Sequence, residues 1–216
     1  MDNVGGLSHG RAASSASFGF DDFPIFGEPL IVEFANSLYR RADESIIDYL
    51  NSAQSATAWF GCVTGAEGTA LPSPCPASTV LELHQLRGAV IRVLDAVVAG
   101  GPVDNGAIST LNVFAARAPG HLELSWRNTH RSAAFTRTGL EGDIFFATLA
   151  SDFVSFLAGP SVQLLRRCER PGCFMLFVQQ HKTRRFCHDG CSHQMRQSRY
   201  YRSSRVEQSK AKLVRS

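Results

Sequence analysis

Lysine is missing from the first 181 residues of this 216-residue chain; Lys182, Lys210 and Lys212 all lie near its end. Long apolar runs are missing too. None approaches the roughly 18 residues that a bilayer-crossing helix needs, which excludes a helical membrane protein. The stretch Met1 to Ala16 lacks the basic region and apolar segment of a secretory signal. It is rich in Gly, Ser and Ala, and residues 1–20 read as a disordered leader. The expectation is a cytoplasmic protein. No internal repeat is visible. No serine sits in a nucleophile elbow, and Ser109, His121 and Asp143 fall in no catalytic or metal-ligand spacing, so no enzymatic activity is expected.

Acids are scarce at one end. Residues 166–216 hold 13 Lys+Arg against three acids (Glu169, Asp189, Glu207), a charge of +10; residues 1–165 hold 9 against 16, a charge of −7. The sum is the chain's +3. An acidic body thus carries an end suited to a polyanion.

The body reads as helix-rich. "LIVEFANSL" is a short apolar run that periodicity leaves open between strand and buried helix. Asp43 or Ser45 is placed to cap a helix holding Ile46, Ile47, Leu50, Ala53 and Trp59, and Gly61 to Ser78 reads as a loop. Residues 79–99 are the clearest helix: Leu83, Leu86, Val90, Val93, Leu94 and Val97 recur at spacings of three and four. Ser78 or Thr79 is its expected N-cap, with Glu82 in a capping box, and Gly100-Gly101-Pro102 ends it. "DNGAISTLNVFAARA" and "GDIFFATLASDFVSFLAGP" read as further helices. Between them, alternation at Leu122, Leu124 and Trp126 predicts a β-hairpin. His84 is expected to be a satisfied helix histidine, and Trp59 and Trp126 to be core residues. The fold class expected is mainly α with a small antiparallel β element.

Four of the six cysteines fall within residues 168–191 as C-x4-C-x13-C-x3-C. Two close thiol pairs separated by a loop are what a tetrahedral zinc site requires, since each short spacer curls the backbone around the ion. Cys168, Cys173, Cys187 and Cys191 fill the coordination sphere, so one Zn²⁺ per chain would be structural, leaving no position for a substrate. Disulfides would need an oxidising compartment, and a thioredoxin-type pair would need a C-x-x-C on a βαβ scaffold. His181, His188 and His193 are then surplus to the ligand set, and Cys62 and Cys75 are ordinary free cysteines. The residues between the pairs suit a hairpin, with "FMLFVQQ" outgoing, "HKT" turning and "RRF" returning. The segment after Cys191 lacks Gly and Pro and reads as a helix, capped by Asp189 or Ser192. Strands, then a helix that supplies the last ligand, make a treble-clef-like zinc module. A helix N-terminus should favour the Cys191 thiolate.

The helix carries Arg196, Arg199, Arg202 and Arg205 at every third position, with Tyr200 and Tyr201 interleaved. At about 100° per residue this stripe drifts around half the helix, which suits phosphates on both walls of a groove. Arg184 and Arg185 lie just before Cys187. If about six of these cations met phosphates, log affinity would fall with log salt at a slope of about −5.

"RRCERPGCFMLFVQQHKTRRFCHDGCSHQMRQSRYYRSSR" resembles the CGNR-type zinc finger: a cysteine pair, an aromatic-rich strand, Arg-Arg-aromatic-Cys, a Cys-Gly-Asn-Arg tetrad and a basic helix. "GEPLIVEFANSL", "LHQLRGAVIRVLDAVVAG" and "FFATLASDFVSFLAGP" resemble the ABATE domain that precedes this finger in bacterial stress-induced transcription regulators. The resemblance places the metal ligands on Cys168, Cys173, Cys187 and Cys191 and the double arginine on Arg184 and Arg185. This chain departs from the tetrad, reading Cys191-Ser192-His193-Gln194. The organisation expected is a leader (1–20), an ABATE-like domain (21–162), a zinc finger (163–206) and a basic tail (207–216). The function expected is a DNA-binding transcription regulator whose body dimerises or senses a small-molecule effector. The alternative is an RNA-binding or ribosome-associated protein using the same module.

Overall fold

The structure, a computed structural model, describes residues 23–40, 45–65, 71–73 and 75–213, with side chains described as far as Tyr201, Arg40 excepted. The expected leader lies outside the described residues. The chain order is α1 (Leu30–Asn36), β1 (Leu38–Arg40), β2 (Ile46–Asp48), α2 (Ala53–Thr64), α3 (Ala77–Ala99), α4 (Asn105–Ala115), β3 (Gly120–Arg127), β4 (His130–Arg137), α5 (Glu141–Ala158), β5 (Leu165–Arg167), β6 (Leu176–Val178) and α6 (Asp189–Leu213). The strands pair as three separate two-stranded antiparallel sheets, β1–β2, β3–β4 and β5–β6. The mainly helical class with small antiparallel elements is as expected. No helix among the described residues is long and apolar enough to cross a membrane.

The "LIVEFAN" run is a helix, and it sits at the centre. Six of its seven residues are buried, including the polar Glu33 and Asn36. A helix wrapped by other elements is apolar on nearly all faces, which erases the periodicity that identifies a surface helix. Phe34 anchors it, with ring centroids 5.2 Å from Phe153 and 6.2 Å from both Trp59 and Phe60. Glu33 turns back on the incoming chain, its Oε1 accepting the N–H groups of Phe26 and Glu28 at 2.8 and 2.9 Å. Burial raises the Glu33 pKa despite those bonds.

The helix expected through Ile46 and Ile47 is instead strand β2, paired with β1 in the register Tyr39↔Ile47. Asp48 ends that strand by accepting the Leu50 N–H, and helix α2 begins only at Ala53, where the Ser52 hydroxyl accepts the Ser55 N–H at 3.1 Å. Of the expected caps, Ser45 precedes β2 and Asp43 lies outside the described residues. Helix α3 starts at Ala77, two residues earlier than expected, so Ser78 and Thr79 fall inside its first turn. Glu82 forms no capping box but pairs with Arg117 at 2.7 Å. Its other end is as read: Gly100 adopts φ 65°, and the Gly100 and Gly101 N–H groups reach back to Val97 and Ala96.

Arg87 of α3 is buried and donates to both oxygens of Asp48, at 2.7 and 2.6 Å, and to the Ser37 hydroxyl. His84 Nε2 lies 3.0 Å from the Leu50 carbonyl, a satisfied helix histidine as expected. Burial alone would raise the Asp48 pKa, but Arg87 outweighs it and holds the carboxyl below its ordinary 3.8. Its stabilisation is therefore complete above that value and is lost as pH falls through the folded one. Replacing Asp48 by Asn strands a buried guanidinium charge. We expect Asp48→Asn to lower stability by about 3 kcal/mol in urea unfolding at neutral pH, with zinc content unchanged.

Candidate metal centre and nucleic-acid interface

The first cysteine pair is a turn that closes a hairpin. Strand β5 pairs with β6 in the register Leu165↔Val178, Arg166↔Phe177, Arg167↔Leu176. Residues 168–175 connect them. Arg170 O accepts the Cys173 N–H at 2.9 Å, with Pro171 and Gly172 between and Gly172 at φ 76°, a type II turn. The second pair comes from the return and from the first turn of α6, where Cys191 is the third residue. His188 Nδ1 accepts the Gly190 N–H at 2.9 Å ahead of that helix. Asp189 opens the helix and Ser192 lies within its first turn, so neither is the cap expected.

The four sulfur atoms are buried and lie within 4.8 Å of one another. Cys173–Cys187, Cys187–Cys191 and Cys191–Cys173 are separated by 3.7, 3.6 and 3.9 Å. A tetrahedron with Zn–S bonds of about 2.3 Å has edges of about 3.8 Å. Disulfide sulfurs would lie at about 2.05 Å. The geometry is that of one structural zinc held by Cys168, Cys173, Cys187 and Cys191.

Four thiolates this close together would need a cation among them. Hydrogen bonds from Cys168 and Cys187 pull the Cys173 thiol down to about 2. Hydrogen bonding with Cys168 and Cys173, together with burial, drives Cys187 far up. Burial and the Cys173 charge push Cys191 up to about 11. An ion of charge +2 would hold all four deprotonated. Arg170 lends part of the counter-charge, its Nε donating to Cys191 Sγ at 3.1 Å.

The return segment "RRF" forms no strand, and its arginine explains why. Arg184 donates to the carbonyls of Val178, Phe186 and Cys187 and lies over the Phe177 ring at 4.6 Å. Side-chain bonds replace the ladder that a return strand would make. Arg184 also donates to the buried Glu28 carboxylate at 2.6 Å. Glu28 accepts the Val178 N–H at 2.8 Å through its other oxygen. Asn36 completes the seam: its amide accepts from Leu176 N and donates to Leu176 O, both at 2.9 Å. Two polar side chains from around α1 thus do for β6 what a neighbouring strand would do. Leu165, Leu176 and Val178 belong to the core of the helical body. Phe26 and Tyr39 from the body pack with Phe186 against the cysteine cluster.

Among the residues read as nucleic-acid contacts, Arg184 is therefore an internal tie. Arg185 is exposed and pairs with Glu169 through Nε at 2.6 Å. Arg196 is exposed and donates to Ser192 at 2.9 Å. Arg199, Tyr200 and Tyr201 are also exposed on α6. Arg202 and Arg205 lie on the same helix, with side chains outside the described residues. A groove of about 630 Å³ runs between the return segment and the start of α6, lined by His181, Arg185, Phe186, His188 and Ser192. His188 sits beside the metal site, its Nε2 3.4 Å from Cys191 Sγ and its ring stacked on Phe26 at 4.7 Å; His181 and His193 are exposed. Sequence reading missed Glu28, Asn36, Tyr39 and Arg170. Only Arg170 left a local signal, the "RPG" inside the first cysteine pair.

Two family models match the chain. The ABATE model, described as "Putative stress-induced transcription regulator", covers residues 28–160, and the CGNR zinc finger model covers residues 165–203. The chain belongs to the ABATE family and carries a CGNR zinc finger at its C-terminal end. No curated protein matches it significantly.

Metal analysis of purified protein should give one zinc per chain, and Cys173→Ser should lose it. Acid should release the ion as the thiolates take up protons. Asn36→Leu leaves the Leu176 N–H and C=O buried without partners. It should cost about 3 kcal/mol in urea unfolding, while zinc stoichiometry stays at one.

Proposed function

We propose that the protein is a DNA-binding transcription regulator acting in the cytoplasm. The zinc finger would grip the polymer and the body would regulate it without a catalytic step. The observation that carries this reading is the attachment of α6: a helix with Arg196, Arg199, Tyr200 and Tyr201 exposed emerges directly from the buried thiol knot. Anchored in this way, Arg196 and Arg199 stand at positions set by the start of the helix within a chain end of charge +10. The family's description as a transcription regulator supports the same class.

The contact set is Arg185, Arg196, Arg199, Arg202, Arg205 and Tyr200, with Arg184 removed because its guanidinium is already engaged by protein groups. Five cations on phosphate predict a log–log salt slope of about −4.5. Arg196→Ala and Arg199→Ala should each flatten the slope by about one. Arg184→Ala should instead lower stability. Gel shifts at matched salt, with duplex DNA, structured RNA and single strands as competitors, check the reading. Stronger competition by RNA than by any DNA would move the assignment to an RNA-binding protein, for which the exposed tyrosines supply stacking surfaces.

A further inference from the structure

The β3–β4 ribbon has no role in the zinc finger or its seam. It is an eight-by-eight-residue hairpin, and both strands are solvent-exposed along most of their length. Its two faces differ. His121, Glu123, Ser125 and Arg127 point one way with Thr136, Ala134, Ser132 and His130 opposite them. The other face carries Leu122 paired with Phe135, Leu124 paired with Ala133 and Trp126 paired with Arg131. Leu122, Leu124, Trp126 and Phe135 are 73, 66, 63 and 56 % exposed. Trp126 was expected in the core; here its indole N–H donates to Asn128 O at 3.0 Å and holds the ring at the ribbon's tip. A lone two-stranded ribbon is marginally stable in water and gains from a cover on its apolar face.

We propose that a second copy of this chain supplies that cover, the two ribbons stacking face to face about a two-fold axis at the level of Leu124 and Ala133. The bodies sit at the ribbon bases, so only a base-to-tip arrangement keeps them apart. That axis places Trp126 of one copy over Leu122 and Phe135 of the other. It also places Arg131 over the base of the other copy's β4. A cleft of about 500 Å³ opens there, lined by Phe135, Arg137, Ile144, Thr148, Ser151 and Asp152. Asp152 has Arg137 of its own copy beside it in that cleft, and Arg131 lies 5.8 Å over its own Trp126 ring, so apolar contact rather than a charge pair carries the interface. On the axis Leu124 of each copy meets Leu124 of the other, beside the small Ala133 pair.

The area is sufficient. The four exposed side chains present on the order of 600 Å² of apolar surface per copy, and two copies cover about 1,200 Å², at the threshold of a stable interface. Such a dimer also holds two fingers on one polymer, which multiplies the affinity of a single small module by linked binding.

Sedimentation of the full-length zinc-loaded protein, without nucleic acid, tests this independently of the DNA reading. Wild type should sediment as a dimer at micromolar concentration, and the Leu124→Glu/Trp126→Glu double variant as a monomer with its zinc and helix content intact. A monomeric wild type, or a dimer that survives both ribbon glutamates, overturns the proposal.

Discussion

Four sulfur atoms held within 4.8 Å of one another, away from water, cannot all be ionised unless a cation sits among them. The C-terminal quarter of the chain is arranged around that constraint. A type II turn presents Cys168 and Cys173, the return and the first turn of α6 present Cys187 and Cys191, and Arg170 adds counter-charge from outside. Strands of three residues each, such as β5 and β6, bury too little surface to hold themselves together. The ion and the body between them supply the order that such short strands lack.

The body's contribution is specific. Asn36 pairs with both backbone groups of Leu176, and Glu28 takes the Val178 N–H and the Arg184 guanidinium. These polar atoms are buried, and among the described residues no buried side-chain N or O lacks a partner. A satisfied polar seam fixes register more tightly than apolar packing does, because a slip of one residue would leave several groups unpaired at once. Helix α6 therefore starts from a point set by the zinc on one side and by the central helix α1 on the other.

How much of this the sequence disclosed follows from the range of each interaction. The zinc ligands were legible because coordination needs short spacers, and those are written locally as x4 and x3. Helices α3 and α5 were legible because each has one wet face and one dry face. Helix α1 was ambiguous because it is dry nearly all round. The first half of the expected second helix became β2, since Ile46 and Ile47 find strand partners in Tyr39 and Arg40 that no local pattern announces. Arg184 and Arg185 are neighbours with opposite fates, one folded inward onto Glu28 and one outward. That choice depends on a carboxylate 156 positions away, and Asn36 acts on a strand 140 positions away. Trp126 shows the opposite error, a large apolar side chain left 63 % exposed among the described residues.

The shared core has a practical corollary for anyone dissecting the chain. The two family matches meet between residues 160 and 165, yet Leu165, Leu176 and Val178 complete the packing of the helical part. A fragment cut at that junction would bare an apolar socket and the unmatched carboxylate of Glu28, and the excised finger would carry the complementary scar. Modularity in the family's sequence record is, in this molecule, a property of inheritance and not of mechanical independence.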